Sequence, residues 1–126
     1  MFCDKDEKRA EEMARKYIGG YWESAIKHYN FGGEHFGKTK GYEYYGKMAE
    51  QLGKAGFEAT TDFFLNLQVW GTPEQCFEKI MDIRSKVGCS DFTGVFCYGG
   101  MPFDEAERNV RLFASEVMPR LQSLKN

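Results

Sequence analysis

Two histidines, four cysteines and a few aromatic residues flanked by glycine are the side chains that chemistry could use. His28 and His35 could each act as a base or a proton shuttle, because imidazole titrates near neutral pH. The alternative is that each is a surface histidine with an ordinary hydrogen bond, since no carboxylate stands at a telling spacing. The sequence predicts no metal site, because no third ligand accompanies the histidines and no cysteine pair has C-x-x-C spacing.

Two segments that contain glycine are expected at the ends of strands, where parallel β/α folds place their chemistry. Trp70-Gly71-Thr72 ends a short strand predicted at 68–70, and Tyr98-Gly99-Gly100-Met101 ends a second strand predicted at 92–98. An amphipathic helix follows each strand, which indicates two parallel β/α units. The paired glycines either form a tight turn or let a flat ring approach the backbone, and the tryptophan is either a core residue or a ligand platform.

The helices that follow these strands have clear boundaries in the sequence. Thr72 and Gln75 predict a capping box, and Gly88 predicts a left-handed stop. The last helix starts at Pro102 and should kink near Met118, because the next residue is a proline without a backbone donor. The predicted buried stripes are Cys76, Ile80, Ile83 and Val87 in the first helix, and Val110, Phe113, Val117 and Leu121 in the second.

The first half of the chain is predicted to be helical. Apolar spacing indicates a helix at 4–30 that contains Gly19-Gly20, which we interpret as a close contact with another helix because the aromatic stripe continues in phase across it. A glycine-rich loop at 31–37 leads to a second helix at 41–52. Residues 57–66 are left open between a loop and a short helical turn.

The composition narrows the class of protein. The net charge is −2 with both signs interspersed, which predicts neither a nucleic-acid partner nor a membrane surface. The acidic, polar start of the chain does not fit a signal peptide, so we expect a cytoplasmic protein whose cysteines are thiols, with Cys76 and Cys97 buried. The 16% of aromatic residues indicate a rich core or, alternatively, a flat ligand or a large interface.

Several segments resemble the flavin-dependent luciferase-like monooxygenase family. The matching stretches are 69–75 (V-W-G-T-P-E-Q), 98–102 (Y-G-G-M-P) and 111–119 (R-L-F-A-S-E-V-M-P). Segment 35–45 is similar to the family's variable segment before its seventh strand. The family has a (β/α)8 barrel and uses reduced FMN or a related deazaflavin.

The resemblance implies an α/β fold: a partial (β/α) barrel with the last two parallel β/α units and two N-terminal helices. The chain would be a single domain, with 1–66 as a helical, insertion-like segment and 67–126 as the barrel part. The first six strands, which carry most flavin contacts in the family, have no counterpart here. Because two strands leave unpaired edges, we expect a homodimer or a larger assembly to complete the fold.

The resemblance also implies a ligand set. A flavin, FMN or a relative, would stack and make backbone contacts near Trp70, Gly71, Tyr98, Gly99 and Gly100. The residues assigned to substrate binding are His28, His35, Phe36 and Met101. The expected function is that of a monooxygenase-like protein that lacks the main flavin-binding and catalytic half. The alternative is a non-catalytic oligomeric module that binds a hydrophobic small molecule or a partner protein.

Overall fold

The computed structural model describes residues 1–31, 33 and 35–124, and the side chains of all of these except Phe36, Met48, Leu52, Ala55 and Phe57. The elements in chain order are β1 (Phe2–Cys3), α1 (Glu7–Ala14), a π-helical segment (Arg15–Gly19), α2 (Gly20–Tyr29), α3 (His35–Lys38), α4 (Glu43–Ala55), α5 (Phe57–Leu67), β2 (Trp70–Gly71), α6 (Pro73–Val87), α7 (Phe103–Glu116) and α8 (Met118–Gln122).

The two strands β1 and β2 form a parallel pair. Phe2 lies opposite Trp70 and Cys3 opposite Gly71, with the Phe2 N–H donating to the Val69 carbonyl at 3.1 Å. The strand expected at 68–70 is therefore present, at Trp70–Gly71. Its partner β1 was missed, because two residues show no periodicity and the other strand lies far along the chain.

The second strand expected at 92–98 is wrong for the described residues, where this segment forms no regular secondary structure. Side-chain hydrogen bonds replace the missing ladder. Asn109 accepts from the Cys3 N–H at 2.8 Å and donates to the Phe96 carbonyl at 3.0 Å, so its carboxamide stands between β1 and the segment. Cys97 is exposed here, contrary to the prediction. The partial barrel stays a prediction.

The N-terminal helix begins at Glu7 rather than at 4, because the Asp6 side chain caps it by accepting from the Arg9 N–H. It continues through the π-helical segment into α2. The predicted close contact is confirmed at Gly19 but not at Gly20, where a methyl group would meet nothing within 4 Å. A methyl group on Gly19 would lie 3.3 Å from the Thr61 side chain of α5, so glycine lets the two helices approach.

Helices α4 and α5 follow α3 in the chain and precede β2. The helix predicted at 41–52 extends from Glu43 to Ala55 and includes Gly53, while Gly56 at φ +82° ends it. Residues 57–67, left open by the sequence, form the full helix α5. The capping box at Thr72, the left-handed Gly88 and the break after α7 are confirmed.

The sheet has a core on each side, because neighbouring residues of a strand point to opposite faces. We call the face with Phe2 and Trp70 the aromatic core and the face with Cys3 and Val69 the cleft core. The aromatic core also contains Ala14, Tyr17, Ile18, Leu65 and Met101, with Met13, Phe64, Tyr98 and Ala106 packed against it. The cleft core also contains Met1, Cys76, Ile80, Phe113 and Val117, with Phe77, Ile83, Phe96, Leu112 and Leu121 packed against it.

Two residues of the predicted helical stripes do not belong to either core. Val87 is 68% exposed and Val110 is 40% exposed. Helix α6 turns its last residue into solvent, where Gly88 reverses the chain. Val110 instead lines a cleft between α7 and the segment before it.

Candidate functional site

Three of the predicted site residues come together in the aromatic core. Trp70 is half-buried, and its indole N–H donates to the Leu65 carbonyl at 3.0 Å. Met101 is buried beside it, and Tyr98 packs against the same cluster. Because these side chains contact the protein's own rings, they form a packed layer rather than an open platform.

Gly71 is needed for the backbone at this strand end. Its φ of +132° favours glycine. A methyl group there would lie 2.5 Å from the Gln75 Oε1 atom, which accepts the Thr72 N–H of the capping box. The side chain of Gln75 therefore fills the space that a side chain at position 71 would need.

Tyr98, Gly99 and Gly100 form the more open part of the predicted site. The Tyr98 ring lies 5.9 Å from that of Tyr21, and burial raises the pKa of its hydroxyl to about 12. The hydroxyl is therefore protonated at neutral pH. Both glycines are exposed, and a methyl group on either would meet nothing within 4 Å, so the backbone here is accessible to a flat group.

The histidines do not join this cluster. His28 is exposed on α2, where its ring packs edge-on against Tyr29 at 5.0 Å. His35 is exposed at the start of α3, and its carbonyl accepts from Thr39. The side chain of Phe36 lies outside the described residues. Of the predicted substrate residues, only Met101 lies in the aromatic core.

A charged network that the sequence did not reveal closes the end of β1. Asp4 is buried and accepts from Arg9 and from Arg108, the latter at 2.8 Å. Arg9 also donates to Glu105 at 2.5 Å, and this hydrogen bond is the largest cause that raises the pKa of the guanidinium. The sequence offered only opposite charges far apart along the chain, which is no signal for a buried network.

An apolar cleft of about 520 Å³ opens on the opposite side of the sheet. Phe92 and Phe96, from the segment 92–98, face Phe113 of α7. Their ring centroids lie 6.3 and 5.1 Å, respectively, from the ring centroid of Phe113. The cleft was missed, because its walls come from four separate parts of the chain. Its other lining residues are Ile80, Met81, Gly94, Val110, Ala114, Met118, Leu121 and Leu124, with Arg84, Cys89, Ser90, Asp91 and Gln122 as the polar ones.

The described residues do not fit FMN at the predicted position. A flat ring could approach Gly99 and Gly100, but the phosphate would need cations beside the free N–H groups of the helix start. The first turn of α7, which follows these glycines, carries Asp104 and Glu105 instead. Arg108 pairs with the buried Asp4, so it is already engaged. Among the residues that the structure describes, no three histidines, cysteines or carboxylates are placed to hold a metal ion.

The chain is similar to two alkanal monooxygenase alpha chains. That of Aliivibrio fischeri is 26% identical over 125 residues, which are 97% of this chain and 35% of the relative. That of Photorhabdus luminescens is 26% identical over 122 residues, which are 94% of this chain and 33% of the relative. The chain thus spans about a third of these relatives, and the similarity supports a distant luciferase-like relation.

No family model and no solved structure matches the chain. Within the described part, no helix is both long and apolar enough to cross a membrane.

Proposed function

We propose that this chain supplies an apolar binding cleft for an aliphatic small molecule, of the alkanal class, within a luciferase-like flavin-dependent monooxygenase. The observation that carries the proposal is the cleft of about 520 Å³ beside Phe92, Phe96 and Phe113. Its volume falls within the range of small-molecule sites, roughly 300 to 1,000 Å³, and such sites are mostly apolar with a few polar groups. The relation to two alkanal monooxygenase chains supports the choice of ligand class.

The cleft suits a chain with one polar end. Its walls are aliphatic and aromatic, while Ser90, Asp91 and Gln122 add polar groups to the lining. Each methylene that leaves water gains about 0.8 kcal/mol, which is roughly a fourfold increase in affinity. We therefore expect affinity to rise with chain length until the cleft is full, and then to level off.

In this proposal, the oxidation itself needs residues beyond those of this chain. The relatives are about three times as long, and the residues around Gly99 and Gly100 do not fit the phosphate of FMN. The flavin that the family uses would supply the redox chemistry when bound. The residues described here would hold and orient the apolar end of the substrate and keep water from it.

The test is displacement of a fluorescent apolar probe, anilinonaphthalene sulfonate, by linear aldehydes of about six to fourteen carbons, a series that samples many methylene steps. Linear alcohols of the same lengths serve as unreactive controls for imine formation with lysines. We expect displacement constants that fall about fourfold per added methylene until the cleft is full. Equal constants across the series would remove the proposal.

A matched pair of variants locates the binding. Val110→Asp places a charge in the cleft, and Val87→Asp places one at an exposed valine outside it. We expect a loss of affinity of about tenfold or more in the first and a change of less than about twofold in the second, because only the first charge must leave water when the probe binds. Equal effects in the two variants would mean that the probe binds elsewhere.

We also propose self-association through helices α4 and α5. The support is that Tyr44 of α4 and Phe63 and Leu67 of α5 are 72, 56 and 57% exposed, so two consecutive helices both present large apolar side chains to solvent. Sedimentation of a dilution series should give a dimer or a larger species that Phe63→Glu reduces to a monomer. Phe103→Glu, at an exposed residue of α7, is the control and should leave the mass unchanged. A monomeric wild-type protein at all concentrations would contradict this.

A further inference from the structure

Two cysteines from distant parts of the chain meet in the cleft core. Cys3 of β1 and Cys76 of α6 are both fully buried, and they belong to the same packed cluster. The Cys76 thiol donates to the Gly71 carbonyl at 3.7 Å, and Gly71 is the residue paired with Cys3 in the sheet. Its sulfur also lies 3.8 Å from the Phe2 carbonyl oxygen. These contacts place the Cys76 sulfur over the strand pair, on the same face of the sheet as the Cys3 side chain.

The other two cysteines have a different setting. Cys89 is half-buried at the cleft, and Cys97 is exposed beside the Tyr98 carbonyl. Both are more accessible than the buried pair, so a reagent that reacts by exposure alone would modify them first. The contrast makes them internal controls for any reaction of Cys3 and Cys76.

We propose that Cys3 and Cys76 are an oxidisable dithiol that closes to an intramolecular disulfide, with hydrogen peroxide as the oxidant. One thiol loses its proton as its sulfur attacks a peroxide oxygen. The O–O bond breaks, and the departing hydroxide takes up that proton, so a sulfenic acid and one water result. The sulfur of the second thiol then attacks the sulfenic sulfur, the S–O bond breaks, and the hydroxide that leaves takes the proton of the second thiol to form the second water. Two thiols are oxidised by two electrons in total, and peroxide is reduced to water.

The assignment of roles follows from the element that holds each thiol. Cys76 lies in the 15-residue helix α6, and its sulfur contacts the Phe2 and Gly71 carbonyls. Cys3 lies on a strand of only two residues, so local opening of β1 can admit peroxide to it. We therefore assign the attack on peroxide to Cys3 and the resolving step to Cys76.

Closure of the disulfide has a structural consequence. It would join β1 to α6 covalently, and the loop between residues 3 and 76 would be closed in the unfolded chain as well. A long closed loop removes much conformational entropy from that state. The oxidised protein should therefore unfold at a higher temperature than the reduced one.

The experiment uses the Cys89→Ser, Cys97→Ser double variant of the full chain, in which the buried pair are the only cysteines. With hydrogen peroxide we expect the intact mass to fall by about 2 Da, a single linked peptide that contains Cys3 and Cys76, and reversal by dithiothreitol. The unfolding midpoint should rise by about 10 °C.

Further variants distinguish formation of the Cys3–Cys76 disulfide from nonspecific oxidation of the chain. Cys3→Ser or Cys76→Ser in this background should abolish the loss of mass and leave a sulfenic acid or no product. Peptide mapping of the peroxide-treated wild-type chain covers the case in which a variant does not fold. Mass gains without a linked peptide, or linkage only between chains, would overturn the proposal.

Discussion

The two faces of the β1–β2 pair start from the same short strands, yet one is filled and the other is open. On the side of the aromatic core, the π-helical segment, α2 and α5 bring rings that pack on each other, as in the Trp22–Phe64 stack at 4.6 Å and 10°. In the cleft core, α6, α7 and α8 meet the segment 92–98, which forms no strand in the described chain, and a cavity of about 520 Å³ remains.

The difference shows why a high aromatic content is a poor guide to a ligand site. The rings predicted to stack on a flavin, Trp70 and Tyr98, instead pack against neighbouring side chains of the protein. Space for a ligand is left where regular pairing stops, between the segment 89–96 and the last two helices. The candidate site is therefore on the face opposite to the one that Trp70 points to.

Asn109 is the residue on which the open face should depend most. It is buried, and its side chain hydrogen-bonds the Cys3 N–H and the Met1 and Phe96 carbonyls. Asn109→Leu therefore removes the partner of two buried backbone groups and of one partly buried group. Each such group costs about 1 to 3 kcal/mol, and we expect a loss of about 3 to 5 kcal/mol in the free energy of unfolding. Urea unfolding followed by circular dichroism measures it.

The matched control is Asn66→Leu, at an exposed asparagine of α5, for which we expect a change within about 0.5 kcal/mol. If both variants unfolded at the same urea concentration, Asn109 would not hold the segment to β1. Probe binding in the cleft should also fall in Asn109→Leu and stay constant in Asn66→Leu, which connects the strand pair to the cavity.

Alanine substitutions at Gly71 and Gly99, two of the predicted flavin contacts, test which part of the aromatic face is tightly packed. Gly71→Ala meets Gln75 at a positive φ, so we expect a loss of about 2 kcal/mol in the free energy of unfolding. Gly99→Ala meets nothing within 4 Å and should change stability by less than about 0.5 kcal/mol. A larger loss in Gly99→Ala than in Gly71→Ala would reverse the description of this face.

The sequence allowed the helices to be predicted where the signals are local. In α6 the capping residues Thr72 and Gln75 and the stop at Gly88 all lie within or beside the helix, and the structure has each of them. The strand β1 and the network around Asp4 depend on residues distant in sequence, so no short window contains them.

The failure at 92–98 has a different cause. Its apolar, β-branched and aromatic residues are typical of a strand, yet the segment has no assigned secondary structure. A strand also needs a neighbour's N–H and C=O groups, and here the side chain of Asn109 takes their place. Composition cannot show this substitution, and it also leaves Cys97 exposed and the cleft open.

The smallest expected effect concerns Tyr98, which reports on how closed the aromatic face is. Burial raises its folded pKa to about 12, above the ordinary value of about 10. The folded state therefore keeps the proton that the unfolded state loses, so stability present below pH 10 declines as the pH rises toward 12. Because the ring is partly solvated, we expect a decline of only about 1 kcal/mol.

Urea unfolding at several pH values between about 9 and 12 measures this slope. Tyr98→Phe should flatten it, even though the absolute stability changes when the hydroxyl is lost. Tyr44→Phe, at a tyrosine that is 72% exposed, should leave the slope as in the wild-type chain. If Tyr98→Phe kept the full slope, the ring would be solvated in solution, and the aromatic face would be open enough to compete with the cleft as the binding site.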